Sequence, residues 1–310
     1  MKTAVKSLVC HIVSKLPPGG RQAVFERLCE MRGPNNVFLE MAAARHVIDV
    51  SVSGAYGTIR QSISDRAILP EYMKTGRWAE ETNRSLEEFF RTKGSGTYID
   101  VGANIGLTTI PIAQNPNVRC IALEPEPKNF EYLKHNVEAN CHHGNVTLEQ
   151  IAAFSKRGTL LFEISPVNFG GHRIRLREME GHADQEWQET IKVDALPLDD
   201  IAPRDPGPLA VKIDTEGGEP FVAAGGHYTL SRADLILMEF WPYGMNRMGG
   251  DPEVIFHLIA SGFKTVRYSE GEKIHSSAPE PVAAATEKLR QLFQIRKHDS
   301  SFYLNLVISR

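Results

Sequence analysis

Asp214-Thr215-Glu216-Gly217-Gly218-Glu219 places three carboxylates within six residues on a glycine turn, and Glu239 closes the next apolar run. Carboxylates crowded in this way raise one another's pKa, which suits a general base near neutral pH. Asp214 and Glu216 are therefore expected to act on an acceptor hydroxyl, with Glu239 in support. A divalent ion would relieve the same repulsion, so a hard oxygen site for Mg2+ at Asp214 and Glu239 stands as the minor alternative. Glu219 precedes the helix-forming run Pro220–Gly225, where its charge complements the helix dipole.

A second constellation lies upstream. Tyr98-Ile99-Asp100-Val101 reads as a strand ending in an acid, Gly102-Ala103-Asn104-Ile105-Gly106 as a turn, and Leu107–Ala113 as a helix. This strand–turn–helix holds nucleoside ligands at the carboxyl edge of an α/β sheet. The dinucleotide fingerprint carries a middle glycine that exposes backbone to a pyrophosphate. Here Asn104 stands in that loop, and Asp100 would repel a diphosphate but attract a cation. S-adenosylmethionine presents an ammonium and a sulfonium and no phosphate, and a charge-assisted hydrogen bond to such a group is worth roughly 1.5–3 kcal/mol. Glu124 ends the next apolar run, Val118–Leu123, and falls 18 residues after Gly106. That is near the offset of about 20 at which an acid binds ribose hydroxyls. Asp100, Gly102, Asn104, Gly106 and Glu124 are thus expected to bind the cofactor.

These residues need a sheet to bring them together. Strands are expected at Tyr98–Val101, Val118–Leu123, Val146–Gln150, Leu209–Ile213, Leu235–Phe240, Phe263–Arg267 and Phe302–Ile308. Helices are expected over residues 82–92 and at Leu107–Ala113, Lys128–Ala139, Pro220–Gly225 and Glu253–Ser261. The alternation predicts an α/β fold, a mostly parallel sheet of seven strands with helices on both faces. Ala152-Ala153-Phe154-Ser155 follows the third strand, and Ala153 is expected to leave room for an adenine ring.

Residues 162–192 break the pattern, with turns at Pro166, Gly170, Gly171 and Gly181. Arg173, Arg175 and Arg177 alternate with Ile174 and Leu176, which puts three guanidiniums on one face of an extended segment. Such a face binds an anionic group, or is simply solvated and paired with Glu178, Glu180 and Glu186. Trp241-Pro242-Tyr243, just past the fifth strand, offers aromatic faces to a sugar or ring. Residues 1–55 read as an extension with helices at 3–16 and 20–32, stopped by Gly33-Pro34, and a strand at Val47–Val52. It is expected to be a lid, a homodimer surface or core cover, and residues 56–310 the main domain.

Composition narrows the class. The chain has 310 residues, 42% hydrophobic and 24% charged, with a formal net charge of −3. That is ordinary for a soluble protein, and no basic excess points to nucleic acid. Cys10, Cys29, Cys120 and Cys141 show no metal or disulfide spacing, which predicts a reducing cytoplasm. No run approaches the length of a membrane-spanning helix.

The elements Asp100–Gly106, Glu124-Pro125, Ala152–Ser155 and Asp214–Glu219 resemble, in order and spacing, the FkbM family of S-adenosylmethionine-dependent methyltransferases. The resemblance covers about Tyr56 to Tyr268. It implies a Rossmann-like, class I methyltransferase fold and O-methylation of a sugar, polyketide or related small-molecule or glycan acceptor. It also implies that Asn168-Phe169-Gly170-Gly171 matches a glycine-containing substrate loop, so Asn168, Arg173 and Trp241 are the candidate acceptor contacts. Two alternatives stay open: an NAD-dependent dehydrogenase, and a non-catalytic interaction module on a methyltransferase fold.

Overall fold

In the computed structural model, residues 49–165, 168–175, 189–204, 207–270 and 277–310 are described. The helices expected at 3–16 and 20–32 and their stop at Gly33-Pro34 lie outside these residues. So do Pro166, Arg177, Glu178, Glu180, Gly181 and Glu186. The chain divides into two compact units, Met1–Trp78 and Ala79–Arg310.

In the first unit, β1 (Asp49–Gly54) and β2 (Gly57–Ser62) form an antiparallel hairpin that closes at the Gly54–Gly57 pair. The expected strand at residues 47–52 thus has a partner of its own. Helix α1 (Ile68–Thr75) follows, and Asp65 Oδ1 accepts from the N–H groups of Ala67 and Leu69 at its start. Ile63 and Leu69 are buried against Val50, Val52 and Met73.

The second unit opens with α2 (Glu80–Lys93), which leads into β3 (Gly96–Val101), α3 (Thr109–Ala113) and β4 (Val118–Leu123). Helix α4 (Pro127–Asn140) starts on Glu126, whose side chain accepts from Asn129 N–H, and runs to β5 (Val146–Glu149). Four strands come next: β6 (Ala152–Ala153), β7 (Gly158–Ile164), β8 (Arg173–Arg175) and β9 (Glu189–Leu196). The helical turn α5 (Leu198–Ile201), β10 (Leu209–Ile213), α6 (Glu219–Gly225), α7 (His227–Arg232) and β11 (Leu235–Phe240) follow. The chain ends with α8 (Pro242–Met248), α9 (Glu253–Gly262), β12 (Thr265–Glu270), β13 (Glu280–Pro281), α10 (Val282–Arg296) and β14 (Leu304–Ser309).

The central sheet has the order β13-β12-β14-β11-β10-β3-β4-β5. It contains the seven expected strands plus the two-residue β13 at one edge. Strands β11, β10, β3, β4 and β5 run parallel, and β14 inserts antiparallel between β11 and β12. Covered on both faces, β3, β4, β10 and β11 are near-continuous apolar runs, while the edge strand β5 alternates partly buried and exposed residues. Ile99, Val101, Val211, Ile213, Ile236 and Met238 pack with Phe256, Ile259 and Leu289 on one side. Tyr98, Cys120, Ala210 and Leu237 pack with Leu86, Phe90 and Ile112 on the other.

A second sheet, of order β6-β9-β7-β8, occupies the region where the sequence pattern breaks. It was not expected as a sheet. Its core is small: Phe162, Ile174, Val193 and Ala195 with Phe154 and Met248.

Candidate active site at the sheet's switch point

From β3 the chain winds outward through β4 and β5, then returns to lay β10 and β11 on the other side. Ligands of such sheets bind in the crevice where the winding reverses. The two turns flanking that point touch. Asp214 N–H donates to Val101 O at 3.1 Å. Gly102 has φ of 81°, and a Cβ there would lie 2.0 Å from the carbonyl oxygen of Asp214. Glycine is therefore required at 102 by the neighbouring turn, independently of any ligand.

Asp100 is fully buried. Its Oδ2 accepts from Thr108 Oγ1 and Thr109 Oγ1, each at 2.7 Å. Its Oδ1 faces Lys212 Nζ at 3.3 Å. The same ammonium donates to Gly102 O at 2.9 Å and lies 3.5 Å from Asp214 Oδ2. Burial works against the Lys212 charge, but Asp100 first and Asp214 next outweigh it and hold the amine above the usual lysine range. Lys212 was not singled out from the sequence. The available signal was a lysine inside an otherwise apolar strand, paired in register with Asp100.

At the tip of β4, Glu124 Oε2 accepts from Asn104 N–H and Oε1 from Glu126 N–H, both at 2.9 Å. Burial pushes its carboxyl up to about 8 despite these two bonds. Asn104 adopts φ of 51°. Its amide does not point at an open crevice: Asn104 Nδ2 and Asn129 Nδ2 both donate to Phe169 O at 2.8 Å. The loop between β7 and β8 is thus clamped to the candidate cofactor turn. Asn129, Thr108 and Thr109 were also missed, as residues on helices whose polar positions read as surface.

Beyond β10, Glu216 sits at φ of 56°, a conformation that costs a non-glycine residue energy and clusters at functional sites. Glu219 Oε1 gathers Thr215 N–H at 2.8 Å, Thr215 Oγ1 at 2.9 Å and Gly217 N–H at 3.3 Å. Burial foremost, reinforced by Asp214 and Glu219 and opposed by Arg173 and Lys212, pushes Glu216 up to about 8. Burial likewise pushes Glu219 up to about 7. Glu239, at the end of β11, is held well above the carboxylate range by burial and then by the charges of Asp214, Glu216 and Glu219. The three expected catalytic acids therefore share one field. Among the described residues no group of three or more His, Cys, Asp or Glu is arranged to hold a metal, so the Mg2+ alternative at Asp214 and Glu239 has no third such ligand there.

The remaining candidates lie apart or are engaged within the chain. Ala153 is buried in the main core and pairs with Leu196. Phe154 stacks on Phe221 at 4.9 Å, which makes it a packing residue. Asn168 Oδ1 accepts from Gly170 and Gly171 N–H, closing its own turn. Trp241 donates from Nε1 to Ser300 O. Gly106 lies against Leu133 of α4, whose Cδ1 would be 3.0 Å from an added Cβ. Arg173 is buried, with Nε 3.2 Å from Glu163 Oε2, and Arg175 reaches the same carboxylate at 3.7 Å. Arg247 of α8 joins them at 3.5 Å.

A doubly wound parallel sheet with acids at neighbouring strand tips and no diphosphate loop defines a Rossmann-like enzyme class. Within it, the pattern of the methyltransferase FkbM domain matches residues 100–264, more than half of the sequence, and the chain belongs to that methyltransferase family. The hexuronic acid methyltransferase AglP of Haloferax volcanii is 29% identical over 162 residues, which span 52% of this chain and 60% of that protein. The chain thus covers less than two thirds of that relative. Among solved structures, the O-methyltransferase TomG of Streptomyces achromogenes, in complex with SAM, aligns with a TM-score of 0.40 and 11% identity over 73% of this chain and 78% of its own. An O-methyltransferase of Bacillus cereus, in complex with SAH, aligns at 0.37 and 13% over 73% and 80%. At these scores neither likeness bears on the site.

Proposed function

We propose that the chain transfers a methyl group from S-adenosylmethionine to an oxygen of a sugar or glycan. The carrying observation is that Asp100, Glu124, Asp214, Glu216, Glu219 and Glu239 stand at the strand tips around the switch point, with Lys212 beside Asp100 and Asp214. That donor set suits a ligand with an ammonium and a sulfonium and no phosphate. Glu124, fixed by two backbone N–H groups, keeps lone pairs for ribose hydroxyls. Asp100 is walled in by threonines and Lys212, so its part is to set the charge beneath the turn.

When bound, the cofactor supplies an electrophilic methyl on an activated leaving group. The protein's share is alignment, which supplies about 7–11 kcal/mol in well-oriented cases, and removal of the acceptor proton. Asp214, with its side chain 45% exposed, is the acid of the block open to an acceptor and takes that proton. Burial foremost, and then the neighbouring carboxylates, raise Glu216 and Glu239 above the usual carboxylate range, which disfavours a second negative charge beside Asp214. The family membership and the acidic sugar in the name of the Haloferax relative both support a glycan acceptor. Arg173, Arg175 and Arg247 gathered at Glu163 support one that carries an acidic group.

Incubation with methyl-labelled S-adenosylmethionine and fractionated cell extract tests this reading. Label in a base-stable or ester-linked methyl on a saccharide supports it. Binding of NAD with no binding of S-adenosylhomocysteine overturns it.

A further inference from the structure

We propose that Lys212 is a positioning residue that locks the candidate cofactor turn and the acid block into one register. The inference rests on the proposed function for what each half holds. Its geometry stands without it. Lys212 lies near the end of the central strand β10, and only 10% of its side chain is exposed. One Nζ meets Gly102 O at 2.9 Å, Asp100 Oδ1 at 3.3 Å and Asp214 Oδ2 at 3.5 Å. The first contact belongs to the turn after β3, the second to the strand beneath it, and the third to the block after β10. The ammonium hydrogen-bonds to the Gly102 carbonyl and stands within ion-pair distance of both carboxylates.

Among the described residues the other hydrogen bond between the two turns is a backbone one. Asp214 N–H to Val101 O extends the ladder by one bond, and Gly102 lies flush on Asp214. Neither fixes where the Asp214 carboxylate points. The Lys212 contact ties that carboxylate to the turn carbonyl. A displacement of about 1 Å between reacting groups costs on the order of a hundredfold in rate, so such a tie matters for transfer.

Removing one partner of a buried pair leaves an uncompensated charge, so Lys212→Met alone is open to misfolding. Asp100→Asn/Lys212→Met removes both charges and is the variant of choice, with Lys212→Arg beside it. Amide hydrogen exchange is followed by mass spectrometry on the full chain without ligand. Peptides over residues 101–107 and 213–219 should exchange at least tenfold faster in the double variant, with those over 235–240 within threefold of wild type. Lys212→Arg should fall between the two. Loosening of only one segment, equal loosening everywhere, or Lys212→Arg as loose as the double variant overturns the assignment. Calorimetry with S-adenosylhomocysteine runs in parallel. Wild-type protein that fails to bind it sinks the cofactor reading, and the exchange result still decides the role of Lys212.

Discussion

The acids beyond β3 and β4 are enclosed, whereas those beyond β10 and β11 range from fully buried Glu219 to Asp214, whose side chain is 45% exposed. Asp100 Oδ2 has two threonine hydroxyls, and Glu124 has two backbone N–H groups. Among the described residues Asp100 Oδ1, Glu219 Oε2 and Glu239 Oε2 are each buried with no hydrogen-bond partner, while Glu219 Oε1 accepts three. The first pair is held in fixed orientation within the fold, while the second set includes an acid open to solvent, and the difference can be broken at defined positions.

The largest effect is expected at the seam between them. Gly102→Ala puts a methyl 2.0 Å from Asp214 O at φ of 81°. The left-handed backbone alone costs an alanine about 1–2 kcal/mol, and the collision with backbone adds to it. Binding of S-adenosylhomocysteine should be lost and Tm should drop by several degrees. Near wild-type affinity in this variant would show that the two turns are not in contact in solution.

Next comes the binding side. Glu124→Ala removes the acceptor of two backbone N–H groups and, on the proposed function, a ribose contact. Calorimetric affinity for S-adenosylhomocysteine should weaken at least tenfold, about 1.4 kcal/mol or more. Asp214→Asn, on the other side, should leave that affinity within threefold while abolishing label transfer. Equal losses in both variants would erase the division between the regions.

How much of this was readable beforehand follows the same division. Strands β4, β10 and β11 match their expected bounds because continuous apolar runs between turn residues have one reading in a parallel sheet. Asp100, Glu124, Asp214 and Glu239 were legible as strand-end acids for that reason. The second sheet was not, since β6 and β8 are two and three residues long and β7 is largely exposed. Helix α8 was not expected, because Pro242 and Gly244 are poor helix formers and the run Trp241-Pro242-Tyr243 stands out for its aromatic faces. In the fold Pro242 starts the helix, and Gly244 is packed so tightly that a Cβ would sit 2.2 Å from the Trp241 ring. The clamp on Phe169 joins residues 65 and 40 positions apart, a pairing with no local pattern.

The raised acids predict a pH signature. Glu216 and Glu219 rise from about 4.5 to about 8 and about 7 on folding. The folded state therefore holds protons that the unfolded chain has released. Their contribution is fully present below pH 4.5 and is lost as pH rises toward 8. Thermal unfolding should show Tm falling over that window, and Glu216→Gln should flatten the fall because glutamine never ionises. Glu124 rises through the same range, so Glu124→Gln should flatten it too. A Tm profile unchanged in Glu216→Gln would mean that this acid is solvated rather than enclosed.

The smallest effect tests whether the second sheet is registered to the first. Asn129→Ala removes one of two 2.8 Å bonds to Phe169 O and leaves that of Asn104. One such bond is worth about 1 kcal/mol, so global stability should fall by no more than that. The local consequence should be sharper. The loop at residues 168–172 also rests on Lys128, whose Nζ stands 5.5 Å over the Phe169 ring. With one bond gone, exchange of its amides should quicken severalfold while the parallel strands stay protected. Asn104→Ala should loosen the same loop and, on the proposed function, weaken S-adenosylhomocysteine binding as well, because Asn104 joins the loop to the candidate cofactor turn. If Asn129→Ala weakens that binding as much as Asn104→Ala does, the loop itself covers the cofactor, and the binding region extends onto the second sheet.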